Sequence, residues 1–451
     1  LTHRPAGRVF VPVSAPLFHR LKHPLSLAVF LLLACAAPVS FLHAADLHLD
    51  TPFTSVGGYP DRVGAALREA SLEAWEALVQ TALDRRVAFV VLAGDIYDGA
   101  ERGIRAQRAF LDGVSRLADH GIRTFLVHGN HDPVREGWTA ITTFPDAVHR
   151  FSETEVESVE LTVDGEQVVI HGTSYATSAT TDNLALRFPS ATPRAFNVGL
   201  LHANLGGLGS KHQDYSPCTV DDLHRTGYQY WALGHIHQRQ TPHERTPWVV
   251  YPGNIQGRNP RSSERGAKGA VIVSVTNGEA APPEFVPLDR VRFVDVAVDI
   301  ASLTDTAALL DQLEAAADPA NHGGRGVLVR ATVEGSGRLH QELLAAGRRE
   351  ELLQELRDRG ASAAPFVWWE RLTWRTRSAV DVIDIRRRED FAADLVRYMD
   401  ETTPAFAGAW ANELPSDLVR ELGSLLPDPH DPAIWETAQR IALESVTAAD
   451  R

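Results

Sequence analysis

The chain has 451 residues, 44% of them hydrophobic and 8% aromatic, which suffices for two or three packed cores and excludes a disordered protein. A formal net charge of −14 excludes a surface that attracts polyanions as a whole, so any nucleic-acid contact has to be local. Cys35 and Cys218 are the only cysteines, which excludes a disulfide framework and any CxxC zinc knuckle and favours a reducing compartment.

Residues 1–38 read as a signal-like segment. His19, Arg20, Lys22 and His23 precede an uncharged run, Pro24 to Phe41, and Leu32-Leu33-Ala34-Cys35 loosely resembles a lipoprotein cleavage site. Against export, the sole methionine is Met399 and the folded pattern begins abruptly at Val39, with no spacer after Cys35. The expectation is an over-extended N-terminus with translation starting near Val39 and a cytoplasmic protein. The alternative is a genuine segment that exports or lipid-anchors the chain.

From residue 39 to about 290, short apolar runs alternate with helical periods, which predicts an α/β fold with helices on the faces of its sheets. Strands are predicted over Ser40–Ala44, Val87–Ala93, Arg123–Val127, Gln167–Ile170, Asn197–Leu201, Tyr230–Leu233, Trp248–Tyr251 and Ala270–Val275. Trp75, Leu78, Val79 and Ala82 recur at helical spacing between the first two, and Phe110, Leu111, Val114, Leu117 and Ala118 do so before the third. Pro282-Pro283 closes this region. Residues 291–388 form a small α+β module, with helices over 304–316 and 348–358 and strands at Val327–Val333 and Ala379–Ile385. Residues 389–451 form a helical tail broken by Pro404, Pro415, Pro427, Pro429 and Pro432. It is acidic: residues 381–451 hold 15 Asp and Glu against 7 Lys and Arg.

Several predicted strands end in a polar motif, and ligand sites of such sheets gather at strand ends. In order these give Asp46 and His48, Asp95, Asn130 and His131, His202, and His235 and His237. Asp and His two apart in an extended segment project to one side, so Asp46/His48 and His235/His237 each make a paired donor. Imidazole, carboxylate and amide oxygen without thiolate suit borderline divalent ions such as Mn, Fe or Zn, and suit structural zinc or calcium poorly. Even seven of these eight as donors are too many for one ion with room left for substrate, but fit two ions sharing a carboxylate. His43, His128 and His171 lie in or beside strands and are expected to be framework histidines. The cations of Gln256–Lys268 are a phosphate-contact candidate, with Arg258 singled out, set against a solvated loop.

The set D-x-H, GD-x-x-D, GNHD, a later lone His and GH-x-H resembles the calcineurin-like metallophosphoesterase superfamily. FLHAADLHLD, GDIYD, HGNHDP, YWALGHIHQRQ and YPGNIQGR look like its DNA repair exonuclease branch, the SbcD- and YhaO-type nuclease subunits, over roughly residues 40–290. The resemblance implies a metallophosphoesterase β-sandwich flanked by helices, a nuclease domain over 39–290 and a capping module over 291–388. It implies that Asp46, His48, Asp95 and His237 hold one metal, that Asn130, His202 and His235 with bridging Asp95 hold the second, and that the ions are Mn2+. His131 is then no ligand but stabilises or protonates the leaving group. Some family members carry a histidine three residues after the bridging aspartate, where this chain has Asp98, whose role stays open.

The resemblance also implies DNA as substrate, an SMC-like ATPase as partner and a homodimer. Two other readings compete with it. One keeps the fold and changes the substrate to a small nucleotide or lipid phosphodiester, which the charge of −14 and an export signal, if genuine, favour. The other makes the chain a non-catalytic adaptor, which missing donors would favour; none is missing.

Overall fold

The computed structural model describes residues 39–51, 59–99, 103–137, 139–206, 215–321, 323–379, 382–406 and 432–449. The signal-like segment and the prolines of 407–431 lie outside these residues.

Two sheets pack face to face. In the first, β1 (Val39–Ala44), β2 (Phe89–Ala93), β3 (Arg123–Val127) and β4 (Val148–Arg150) are parallel. Beyond β1 lies antiparallel β11 (Gly269–Thr276), flanked by β12 (Glu279–Ala280) and β13 (Glu284–Pro287). The second sheet has the order β5 (Glu157–Val163), β6 (Glu166–Gly172), β7 (Phe196–His202), β8 (Tyr230–Gly234), β10 (Trp248–Tyr251), β9 (Gln240–Glu244). Its central strands, β6, β7, β8 and β10, are parallel.

Alternate residues of each central strand serve two cores. Phe41, Phe89 and Phe125 face Phe196, Val198 and Tyr230 across the sandwich. Phe41 stacks on Phe89 with ring centroids 4.9 Å apart, and Tyr230 meets Phe41 edge-on at 5.3 Å. On the outer side Leu42, Val90 and Leu92 pack under Trp75, Leu78, Phe110 and Val114 of helices α1 (Asp61–Asp84) and α2 (Ile104–Asp119). Burial on both faces is why Phe89-Val90-Val91-Leu92-Ala93 is apolar at every position rather than alternating. Trp231, Leu233 and Tyr251 cover the outer side of the second sheet with Phe188, Tyr228 and Leu223, the last from the short helix α3 (Val220–His224).

The third sheet is separate: β14 (Val291–Asp299), β15 (Gly326–Ser336) and β16 (Val367–Arg377) are all parallel. The crossovers are α4 (Thr306–Asn321), then α5 (Leu339–Leu343) and α6 (Arg348–Ser362), whose Leu309, Leu313 and Leu356 pack on Val329, Val333 and Trp369. Phe293, Leu328 and Trp368 join this sheet to Val63 and Leu67 of α1. The third strand is not at Ala379–Ile385 as expected, because α7 (Val382–Arg386) occupies that stretch. Only Ile385 of its apolar residues is buried there, while Ile383 is 62% exposed. A short β-branched run without a partner has nothing to hold it extended. The true strand, VWWERLTWRTR, was hidden by its charged, outward-facing residues.

The tail continues with α8 (Phe391–Phe406) and α9 (Pro432–Ala449). Pro404 does not break α8; it falls in the last turn, where a missing N–H removes only one ladder bond. Among the described residues no helix is long and apolar enough to cross a membrane.

Candidate metal centre

The motifs meet because parallel strands of both sheets end at one edge of the sandwich. Asp46 and His48 follow β1, Asp95 follows β2, Asn130 and His131 follow β3, His202 is the last residue of β7, and His235 follows β8. Polar contacts stitch the two sheets at this edge. The Asp46 carboxylate accepts from the His235 backbone N–H at 3.0 and 3.1 Å, and His202 Nδ1 donates to the Ala93 carbonyl at 2.9 Å. The aspartate and histidine pairs do not converge by extended alternation, as expected from the sequence. Asp46, His48, Asp95 and His235 have φ of 51°, 42°, 50° and 100°, the left-handed region that non-glycine residues avoid. Such strain persists only where the surroundings over-determine it, and it clusters at functional sites.

The side chains present acceptors to one another. His237 Nδ1 lies 2.7 Å from Glu264 Oε1, and His48 Nδ1 lies 3.2 Å from Asp98 Oδ1. A carboxylate only accepts, so His237 Nδ1 carries a hydrogen, whereas His48 Nδ1 is buried beside Asp98 without making a hydrogen bond. The Nε2 atoms of the two rings are 3.1 Å apart, beside Asp46. Burial, reinforced by the Arg258 charge, holds the His48 pKa well below its ordinary value, so one nitrogen of that ring carries a lone pair. His202 donates from Nδ1 to the Ala93 carbonyl, and its Nε2 lies 3.1 Å from Asn130 Oδ1 and 3.4 Å from Asp95 Oδ2. Asn130 Oδ1 also lies 3.2 Å from His235 Nδ1. Two clusters of imidazole nitrogens with carboxylate and amide oxygens thus meet at this edge, and this donor set fits borderline divalent ions. Asp95 sits between the clusters with a raised pKa, mainly because it is buried, as expected of a carboxylate that needs nearby positive charge.

His131 stands at the rim, its side chain 38% exposed, with its backbone N–H donating to Asp95 Oδ1 at 3.0 Å and Nδ1 3.1 Å from Asp98 Oδ1. Burial would lower its pKa, but the Asp98 contact and the Asp95 charge outweigh this and raise it. Asp98 is the hub of the rim: the same Oδ1 also meets His48 and accepts from Arg258 Nη1 at 2.7 Å. Although burial opposes ionisation, those partners hold Asp98 well below the usual carboxylate range. Arg258 thus belongs to the site rather than to a solvated loop, and its charge is met by Asp98.

Three residues here were not singled out by the sequence. Asp132 accepts from Gly129 N at 2.9 Å, Ile96 N at 2.9 Å and His128 Nδ1 at 3.1 Å, bracing the turn that presents Asn130 and His131. Glu264, with Asn254, backs His237. The signal for Asp132 was its place in GNHD; the chain gives no local sign that Glu264 reaches a histidine 27 residues away. The other histidines are framework groups. His43 Nδ1 is 3.0 Å from the Tyr230 hydroxyl, with burial pushing its pKa down to about 3, and His171 bridges Ser158 and Asn197 at 2.7 and 3.0 Å.

Comparison with known proteins agrees with this architecture. The calcineurin-like phosphoesterase family matches residues 39–239, and the middle domain of metallophosphoesterase YhaO matches residues 293–377. The chain is 35% identical over 350 residues to the uncharacterized metallophosphoesterase YhaO of Bacillus subtilis, covering 77% of this chain and 84% of that protein. It is 27% identical over 270 residues to the DNA double-strand break repair protein Mre11 of Thermoplasma acidophilum, covering 56% of this chain and 65% of that one. Against SbcD of the Bacillus subtilis nuclease SbcCD it is 26% identical over 274 residues, covering 53% of this chain and 67% of that one. The chain therefore belongs to the calcineurin-like metallophosphoesterases, in the group that carries a YhaO-type middle domain.

Proposed function

We propose that this metallophosphoesterase is a DNA nuclease that hydrolyses phosphodiester bonds with two divalent ions, Mn2+ first among them. The observation that carries the reading is the approach of His48 Nε2 and His237 Nε2 to 3.1 Å beside Asp46, with a second set of potential ligand atoms around His202. In this reading Asp46, His48, Asp95 and His237 hold one ion and Asn130, His202 and His235 the other, with Asp95 shared. Bound divalent ions supply Lewis acidity at the phosphoryl oxygens and a nucleophile near neutral pH. The rest falls to the chain's own groups. Asp98 orients the His131 ring through Nδ1, which leaves Nε2–H to protonate the departing alkoxide oxygen. DNA as substrate draws on the names of the Mre11 and SbcCD relatives. Residues 39–290 then form the nuclease domain, 291–388 a capping module and 389–451 a tail that docks an SMC-like ATPase, in a homodimer.

A second reading, hydrolysis of a small nucleotide or lipid phosphodiester, is favoured by the charge of −14 and by the engagement of Arg258 with Asp98, which diverts the cation nearest the site from phosphate. Turnover with Mn2+ of linear duplex, single-stranded DNA and an aryl phosphodiester separates the two: a nuclease cleaves DNA, the other enzyme only the small ester. In the same assay His131→Ala is expected to lose about 10²-fold or more in turnover while retaining its metal content. Undiminished cleavage by that variant overturns the role given to His131.

A further inference from the structure

Resting on the two-ion reading above, we infer that Glu264 is the positioning residue of His237, fixing its tautomer and ring direction and thereby the affinity of the first ion. Glu264 lies on the turn Ser262–Glu264 in the loop after β10 and is 3% exposed. One oxygen, Oε1, accepts from His237 Nδ1 at 2.7 Å. The other, Oε2, accepts from Asn254 Nδ2 at 2.7 Å and from the Arg258 backbone N–H at 3.2 Å. The carboxylate is therefore clamped on its far side and presents its near oxygen to His237. Lys268 pins the same two segments: its Nζ donates to the His237 carbonyl at 2.7 Å and to the Ser263 carbonyl at 2.5 Å.

The arrangement has the form that metal-bound histidines recurrently take, with the distal nitrogen donating to a buried carboxylate. Its consequence is directional. A carboxylate cannot donate, so His237 is held as the Nδ1–H tautomer and its Nε2 lone pair is aimed at the gap shared with His48 and Asp46. His202, which serves the second ion, is oriented instead by the Ala93 carbonyl. The two ions are thus steered by different groups, and removing Glu264 affects one of them.

The test is Mn2+ binding to the full chain, by calorimetry and by counting bound metal after gel filtration, with no substrate present. Glu264→Gln supplies one acceptor where three donors converge, so one of the two ions is expected to bind about 10- to 100-fold more weakly, with the other unchanged. Asn254→Ala, which leaves Glu264 in place but removes one of the two donors to Oε2, is expected to weaken the same ion in the same direction, and guards against Glu264→Gln failing to fold. If Glu264 acts through His237, Glu264→Gln adds nothing to the loss already caused by His237→Ala. A merely structural role predicts instead a lower thermal midpoint of the metal-free protein, both ions weakened alike and additive losses, and this result overturns the inference. Wild-type chain that binds fewer than two ions overturns the two-ion reading itself.

Discussion

At the scale of single residues the site is defined by what its neighbours forbid. Asp98 shows this most clearly, since one oxygen meets His48, His131 and Arg258 at 3.2, 3.1 and 2.7 Å. These contacts keep it ionised, and the ionised group in turn holds a hydrogen on His131 Nδ1. Asp98→Asn is the sharp probe, because the amide keeps the shape, removes the charge and turns one edge of the group into a donor. Turnover is expected to drop by about 10²-fold, the scale of a mispositioned proton donor, with substrate affinity little changed and both ions still bound. Steady-state kinetics beside metal counting check it. A variant with full turnover would show that His131 needs no such partner.

At the scale of elements, what the sequence disclosed is what burial on two faces enforces. The predicted strand Trp248–Tyr251 coincides with the observed one, and Phe89–Ala93 was legible because neither of its faces meets water. The edge strands Glu157–Val163 and Gln240–Glu244 were not, because their half-exposed, charged residues lack an apolar signature. The candidate metal donors stood out because each lies at or just after a strand end. Glu264 and Asn254 were not, because their partnership exists only once the loop after β10 folds back over His237. One glycine marks how tightly the elements close. A Cβ on Gly234 would lie 1.8 Å from the Ala93 carbonyl oxygen and 2.9 Å from His202 Nδ1, so β8 and β2 could not approach as they do. Gly234→Ala is expected to cost about 1 to 3 kcal/mol as an overpacked contact, and to weaken metal binding by displacing the carbonyl that orients His202. The urea midpoint and bound-metal count measure both, and a variant matching wild type in each would show that the two sheets have slack at this edge.

At the scale of the whole molecule, the charge and the site pull in opposite directions, and the tail is where they separate. Residues 381–451 carry 15 acids against 7 bases, more than half of the net −14. Their described helices pack chiefly on themselves: Ile385, Ala392, Ala393, Val396 and Leu443 form a cluster of their own, tied by Arg386 and Gln439 to the Asp400 carboxylate at 2.8 to 3.0 Å. Among the described residues, none of that cluster belongs to the group of side chains around Asp95. Deleting residues 381–451, just past the end of β16, should therefore leave turnover of an aryl phosphodiester within about twofold of the full chain. Its effect on DNA should be electrostatic. Removing the acidic tail lowers the long-range repulsion of phosphate, so duplex binding should tighten at low ionic strength. The gain should fade as salt approaches about 1 M, where the Debye length falls to about 3 Å. Titration of a fluorescent duplex at several salt concentrations, beside the small-substrate assay, resolves the two effects. If deletion instead abolishes turnover of the small ester, the tail is part of the catalytic unit, and chemistry and charge are not separable in this chain.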